Sequence, residues 1–216
     1  MTYPQAPWIL QGYAFQTLQL LDIERVRPFI PTELDIISVF PGKTIGGVYL
    51  SRYGAGSVLE YSELIIISGL HSYKGKFGGW VTHIYVDNPD SVAGGREIWG
   101  LPKELAEFTW SENSVTVRQE NRLLCSLNYK AQSFGLQQKL GALSFSSQGI
   151  DLLLFPAQAE ARFGLVSSKL EIPQQSPFSS LNISQPWLTV HADQMRLVVD
   201  APEVIGQKNA EFSYKN

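Results

Sequence analysis

The sequence predicts a mainly β fold, a barrel or sandwich carrying only a few short helices. Three observations lead there. At least ten segments rich in β-branched and aromatic residues are spread over 216 residues. Gly, Pro, Asn or Asp bounds most of them, and only two stretches have helical character. The strands follow one another without intervening helices, which argues against repeated βα units.

The elements are read in chain order. "GYAFQTLQLL" (12–21), "GGVYLSRY" (46–53), "EYSELIIISG" (60–69) and "GGWVTHIYVD" (78–87) are the long early strands. In the last of these, Trp80, Thr82, Ile84 and Val86 alternate with Val81, His83 and Tyr85, so both faces are substantially apolar and the strand is expected to be buried on two sides. Between the first two strands, Asp22 offers a helix N-cap and Arg25 to Phe29 a short body that Pro31 closes. "NPDSVAGG" reads as a turn. Shorter strands follow in "AEFTWS", "SVTVRQ" and "RLLCSLNYK", then in "ALSFSS", "DLLLF", "RFGLVSSKLEI", "PWLTVHA", "MRLVVD" and "AEFSY". "FPAQAEARF" (155–163) is a second helix candidate, and 172–186 reads as a long crossing loop.

Length and composition fit one domain over residues 1–216. The chain is 44% hydrophobic, 12% aromatic and only 17% charged, which implies extensive burial, subunit interfaces included. A net charge of -3 without any basic run argues against nucleic-acid binding. The N-terminus lacks the pattern of a signal peptide and the longest apolar run, "LIIISGL", is too short to span a bilayer, so the expected setting is cytoplasmic, with no membrane partner. Cys125 sits in a strand pattern and is expected to be a buried structural thiol. His71, His83 and His191 are far apart and lack ligand spacing, so no metal site is expected. Phosphate-loop, dinucleotide and GxSxG patterns are absent.

The chemistry concentrates in "AGGREIWGLPKELAEF" (93–108). Gly94 and Gly95 allow a tight or φ-positive turn, and Pro102 fixes the backbone before Lys103. A lysine set among Ile98, Trp99, Leu101 and Leu105 has two readings. It either snorkels out to solvent beside Glu104 or is held in an apolar cavity, where desolvation penalises the ammonium and the free amine attacks ketones.

"GGREIWGLPK", preceded by a strand ending in "YVDN", resembles the signature of the acetoacetate decarboxylase family, in which a Gly-Arg-Glu run leads to a Pro-Lys bearing the Schiff-base lysine. "LEYSEL" and "APWILQG" are similar to that family too, and the resemblance covers roughly the first 130 residues. It implies a largely antiparallel, cone-shaped β-barrel, a homo-oligomer, no cofactor, and a small carbonyl (keto acid) substrate. Lys103 falls on the nucleophile and Glu63 on an acidic active-site residue suited to moving protons. Glu60 competes with Glu63 but stands three residues away and so on the opposite sheet face. Trp99, Tyr85 and Leu101 are expected as apolar walls of the substrate site. Arg96 and Glu97 are expected first as a structural pair or backbone clamp, with ligand contact by Arg96 second. Two positions depart from the family pattern. Glu104 stands where a second lysine is typical and, at about 7 Å, favours the ammonium by on the order of 2 kcal/mol. Leu20 stands near a family arginine. The implied activity is a Schiff-base lyase acting on a β-keto or related carbonyl acid. The alternatives are a non-catalytic small-molecule-binding barrel, or an aldolase or dehydratase using the same lysine.

Overall fold

A computed structural model describes residues 3–131 and 134–208. The chain runs through β1 (Trp8–Asp22), α1 (Ile23–Val26) continuing into a 3-10 turn (Arg27–Phe29), β2 (Asp35–Ile36), β3 (Lys43–Tyr53), β4 (Tyr61–Tyr73) and β5 (Lys76–Val86). Then come α2 (Pro89–Trp99), β6 (Lys103–Leu105), β7 (Glu107–Ser111), β8 (Ser114–Gln119) and β9 (Arg122–Tyr129). The last part holds β10 (Leu136–Gln148), β11 (Asp151–Leu165), β12 (Ser168–Glu171), a 3-10 turn (Ser179–Leu181), β13 (Leu188–Val199) and β14 (Glu203–Gln207).

The pairings of the large sheet run in a ring, from β4 through β3, β1, β13, β11, β10 and β5 back to β4. All are antiparallel except the short contact of β10 with β5, and β6 also adds to β5 in parallel. The sheet is therefore mixed. A second sheet of β12, β9, β8 and β7 covers part of the ring's outer face. Two apolar cores result. One fills the space between the sheets with Leu64, Trp80, Tyr85, Val117, Leu127 and Phe178 among others; the second lies inside the ring around Trp8, Leu10, Val81, Ile84 and Trp99. Cys125 is fully buried in the first core, and burial pushes its thiol up to about 12, so it is an inert apolar filler.

Strand β5 is buried on both sides as its two apolar faces predict, but not by simple alternation. Ile66 pairs with His83 and Ile67 with Val81, so Thr82 is an extra residue on β5. This bulge flips the face downstream. Val81 and Ile84 therefore both reach the inner core, while Trp80 and Tyr85 face the outer one.

The helical expectations need correction. The first short helix stands at 23–29, although the Asp22 side chain makes no capping bond. Residues 155–163 are not a helix; they form part of β11, paired on both edges with β10 and β13. Ladder pairing on two sides outweighs the helix preference of Ala, Gln, Glu and Arg there. "NPDSVAGG" is the start of α2 and not a turn. Asn88 caps it by accepting from the Asp90 and Ser91 amides, Pro89 occupies the first turn, and Gly94 and Gly95 are helical. "PWLTVHA" and "MRLVVD" belong to a single strand, β13. The 172–186 loop contains only the 3-10 turn, and "AEFSY" lies outside the described residues.

Candidate active site

Lys103 opens the three-residue strand β6, whose register beside β5 sets Lys103 opposite Ile84. Glu63 lies on β4, opposite Val86 of the same β5. One intervening strand thus holds the two side chains together from either side. Lys103 Nζ donates to Glu63 Oε1 at 2.8 Å and to Ser91 Oγ at 3.0 Å, with both members of the pair almost fully buried. The rings of Tyr61 and Trp8 lie 5.0 and 5.6 Å from the same nitrogen. Of the two readings of Lys103, the buried one holds.

The lysine segment is fixed by devices in and after α2. Gly100 adopts φ 60 at the C-cap, and the amides of Gly100 and Leu101 reach back to the carbonyls of Arg96 and Gly95. Arg96 Nε donates to the Lys103 carbonyl at 2.7 Å. Gly94 and Gly95 serve close approach. A Cβ on Gly94 would lie 2.5 Å from the Trp8 ring, and one on Gly95 would lie 2.4 Å from Lys103 Cδ.

A hydrogen-bond chain continues beyond Glu63. Tyr53 OH contacts Glu63 Oε2 at 3.4 Å, and Tyr49 OH lies 3.0 Å from Tyr53 OH. Burial is the largest cause holding the Tyr49, Tyr53 and Tyr61 hydroxyls above their ordinary range, and nearby Glu63 adds to it. All three remain neutral donors at physiological pH.

These groups line a cavity of about 390 Å³ inside the ring. Lys103, Glu63, Trp99 and Leu101 all line it. Trp99 is set edge-on to Trp8 at 4.9 Å and donates its indole N–H to the Asp200 carbonyl. Tyr85 is not a wall of the cavity. The Thr82 bulge turns it to the outer core, where it packs near Phe178. Arg96 does not reach the cavity either; it is exposed on the far side of the lysine segment, and its guanidinium works as a backbone clamp. Glu97 is likewise exposed and accepts from Tyr3, so the two form no buried pair. Glu60 is exposed ahead of β4, and Leu20 is half-buried outside the lining. Glu104 also points away, exposed and accepting from Gln119 Nε2 at 2.7 Å. Solvent therefore screens the anion whose proximity opposed an active lysine.

Sequence reasoning missed Ser91 and the tyrosines at 49, 53 and 61. Ser91 became legible only with α2, for which Asn88-Pro89 was the available signal. The tyrosines needed the strand register. Among the described residues, no three of His, Cys, Asp and Glu converge as a metal site would need. Among the described residues, no helix is long and apolar enough to cross a membrane.

Comparison with known proteins agrees with this fold. The family model for acetoacetate decarboxylase (ADC) matches residues 3–171. The chain is 30% identical over 137 residues to Protein NEOXANTHIN-DEFICIENT 1 of Solanum lycopersicum, covering 59% of this chain and 46% of that one. It is 26% identical over 151 residues to an acetoacetate decarboxylase of Burkholderia mallei, covering 69% and 55%. The chain thus spans about half the length of the curated relatives it matches. Among solved structures, the acetoacetate decarboxylase of Legionella pneumophila superposes with a TM-score of 0.75 at 17% identity, covering 96% of this chain and 90% of that one. The enduracididine biosynthesis enzyme MppR complexed with pyruvate superposes with a TM-score of 0.73 at 13% identity, covering 96% and 92%. These likenesses show a shared fold. With the family match spanning most of its length, the chain belongs to the acetoacetate decarboxylase family.

Proposed function

We propose that this protein is a Schiff-base lyase in which Lys103 attacks the carbonyl carbon of a small molecule and Glu63 moves the protons. One observation carries the reading: a buried lysine held 2.8 Å from a buried glutamate at the wall of an apolar cavity. An ion pair in such a place is costly unless it has a task or excellent partners.

The reaction starts with transfer of a proton from the Lys103 ammonium to Glu63 along their hydrogen bond. The free amine forms an N–C bond to the carbonyl carbon; the oxygen takes one proton from that nitrogen and a second from Glu63, and leaves as water. The resulting iminium is paired with the Glu63 carboxylate that gave up the proton. It then draws the electron pair of a bond at the adjacent α-carbon. A β-keto acid loses CO2 in this step and leaves an enamine, whose α-carbon takes a proton drawn from water before hydrolysis frees the lysine. A β-hydroxy carbonyl compound would undergo retro-aldol cleavage or dehydration through the same iminium. Tyr53 steadies the carboxylate, Ser91 the nitrogen, and the apolar walls exclude competing water. No organic or metal cofactor is required, because the iminium is itself the electron sink. A single domain, a homo-oligomeric state and a cytoplasmic setting complete the proposal.

The test is borohydride trapping. The protein is incubated with acetylacetone, acetoacetate or pyruvate, reduced, digested and mapped by peptide mass. We expect an adduct on Lys103, lost in Lys103→Ala. Absence of an adduct with every one of these carbonyls and with a long neutral aldehyde such as decanal, from neutral to mildly alkaline pH, overturns the lyase and leaves the non-catalytic binder.

A further inference from the structure

We infer that the carbonyl compound this cavity accepts is uncharged, elongated and apolar, with its carbonyl at Lys103 and its hydrocarbon body running toward Leu140, and not a short keto acid. This rests on the Schiff-base reading and names the substrate class for it.

Charge comes first. Among the described lining residues only Lys103 and Glu63 are charged, and they neutralise one another. The sum does not change during imine formation: the ammonium and carboxylate become an iminium and the same carboxylate. A substrate carboxylate would therefore be a second anion with no cation of its own. Arg96, the nearest candidate by sequence, is outside. The neutral tyrosine hydroxyls offer hydrogen bonds but no charge. Burying an uncompensated charge is strongly unfavourable.

Size and shape come second. A volume of about 390 Å³ falls in the range of drug-sized ligand sites and exceeds what a four-carbon keto acid fills. The lining positions on β1 run from Trp8, beside Lys103, to Gln16, a span of roughly 26 Å in extended chain. Beyond the Lys–Glu–Tyr cluster the walls are Leu10, Val81, Phe155, Phe163 and Leu197, with Ala157, Ala159 and Ala192 leaving the space open. At the other end, Leu140 lines the cavity while 53% exposed, and its neighbours Gly141 and Ala142 are exposed too. Away from the Lys–Glu–Tyr cluster only Gln16 and Ser144 add polar side chains to the lining, so a hydrocarbon body meets few polar groups to desolvate on entry.

Two measurements test this on the full chain. In the first, borohydride trapping compares neutral aldehydes and methyl ketones of increasing chain length, up to decanal and undecanone, with acetoacetate and pyruvate, and with acetylacetone as the short neutral control. Expected is an Lys103 adduct whose yield rises with chain length, at least tenfold above the keto acids at equal concentration. Acetoacetate or pyruvate trapped as well as decanal overturns the inference while leaving the Schiff base intact. In the second, undecanone is titrated against the fluorescence of Trp8 and Trp99 in Lys103→Met, which cannot form an imine. Saturable quenching that acetoacetate does not reproduce supports the apolar substrate class even if no carbonyl is trapped. No quenching by undecanone, or equal quenching by acetoacetate, overturns it.

Discussion

At the scale of single residues, the position of Lys103 depends on what is missing beside it. Gly95 is helical, so alanine there would ordinarily favour the helix by roughly 1 kcal/mol. Its methyl would, however, fall 2.4 Å from Lys103 Cδ and 2.6 Å from Cε. We expect Gly95→Ala to stay within about 1 kcal/mol of the parent in urea unfolding, and to form the Lys103 adduct about tenfold more slowly, since a nucleophile moved by part of an ångström loses its attack geometry. Equal trapping rates would show that the lysine stem adapts freely. The sequence disclosed the lysine and the glutamate because their flanking motif is distinctive. It did not disclose why two glycines precede them, since a turn and a close approach call for the same residue.

At the scale of elements, α2 connects the two halves of the site. Asn88 accepts from the Asp90 and Ser91 amides and donates from Nδ2 to the Glu60 carbonyl, tying the helix start to the lead-in of β4. Asn88→Ala should cost about 1 kcal/mol, read as a lower urea midpoint with an unchanged slope. It should also slow trapping, because Ser91 loses the bond that fixes its backbone. A variant of unaltered midpoint would mean that Pro89 and packing suffice. The strands were legible because their residues alternate between two apolar cores, and β8 matched its expected bounds. Helix α2 was not, since two glycines and a proline imitate a loop when its packing on Trp8 and Lys103 is unseen. Segment 155–163 erred the other way. Its alanines have helix preference but serve as small lining on a strand, and only the pairing of β11 with both neighbours reveals it. Bulges such as that at Thr82 leave no mark in alternation, so the sequence does not say which core Tyr85 enters.

At the scale of the whole molecule, the two-core design makes stability sensitive to acid. Burial holds His71 and His83 near 4, against 6.5 when free. Between those values the unfolded chain binds protons that the folded protein refuses. Stability is thus fully present above pH 6.5, falls as pH drops toward 4, and levels off below for these groups. Each histidine contributes on the order of 3 kcal/mol to that loss. Urea unfolding across this range should show the decline, and His83→Phe should flatten its share; a profile parallel to the parent's would place the acid sensitivity elsewhere. The same architecture gives the cavity two unlike sides. Strands β3, β4 and β5 are backed by the core between the sheets, so any change there disturbs packing twice. Strands β10 and β11 are backed by solvent over much of their length, with Gln158, Glu160 and Arg162 facing outward and small residues inward. A lineage built on this scaffold can therefore rewrite what it accepts by substitutions on the thin wall, while Lys103 stays anchored in the thick one.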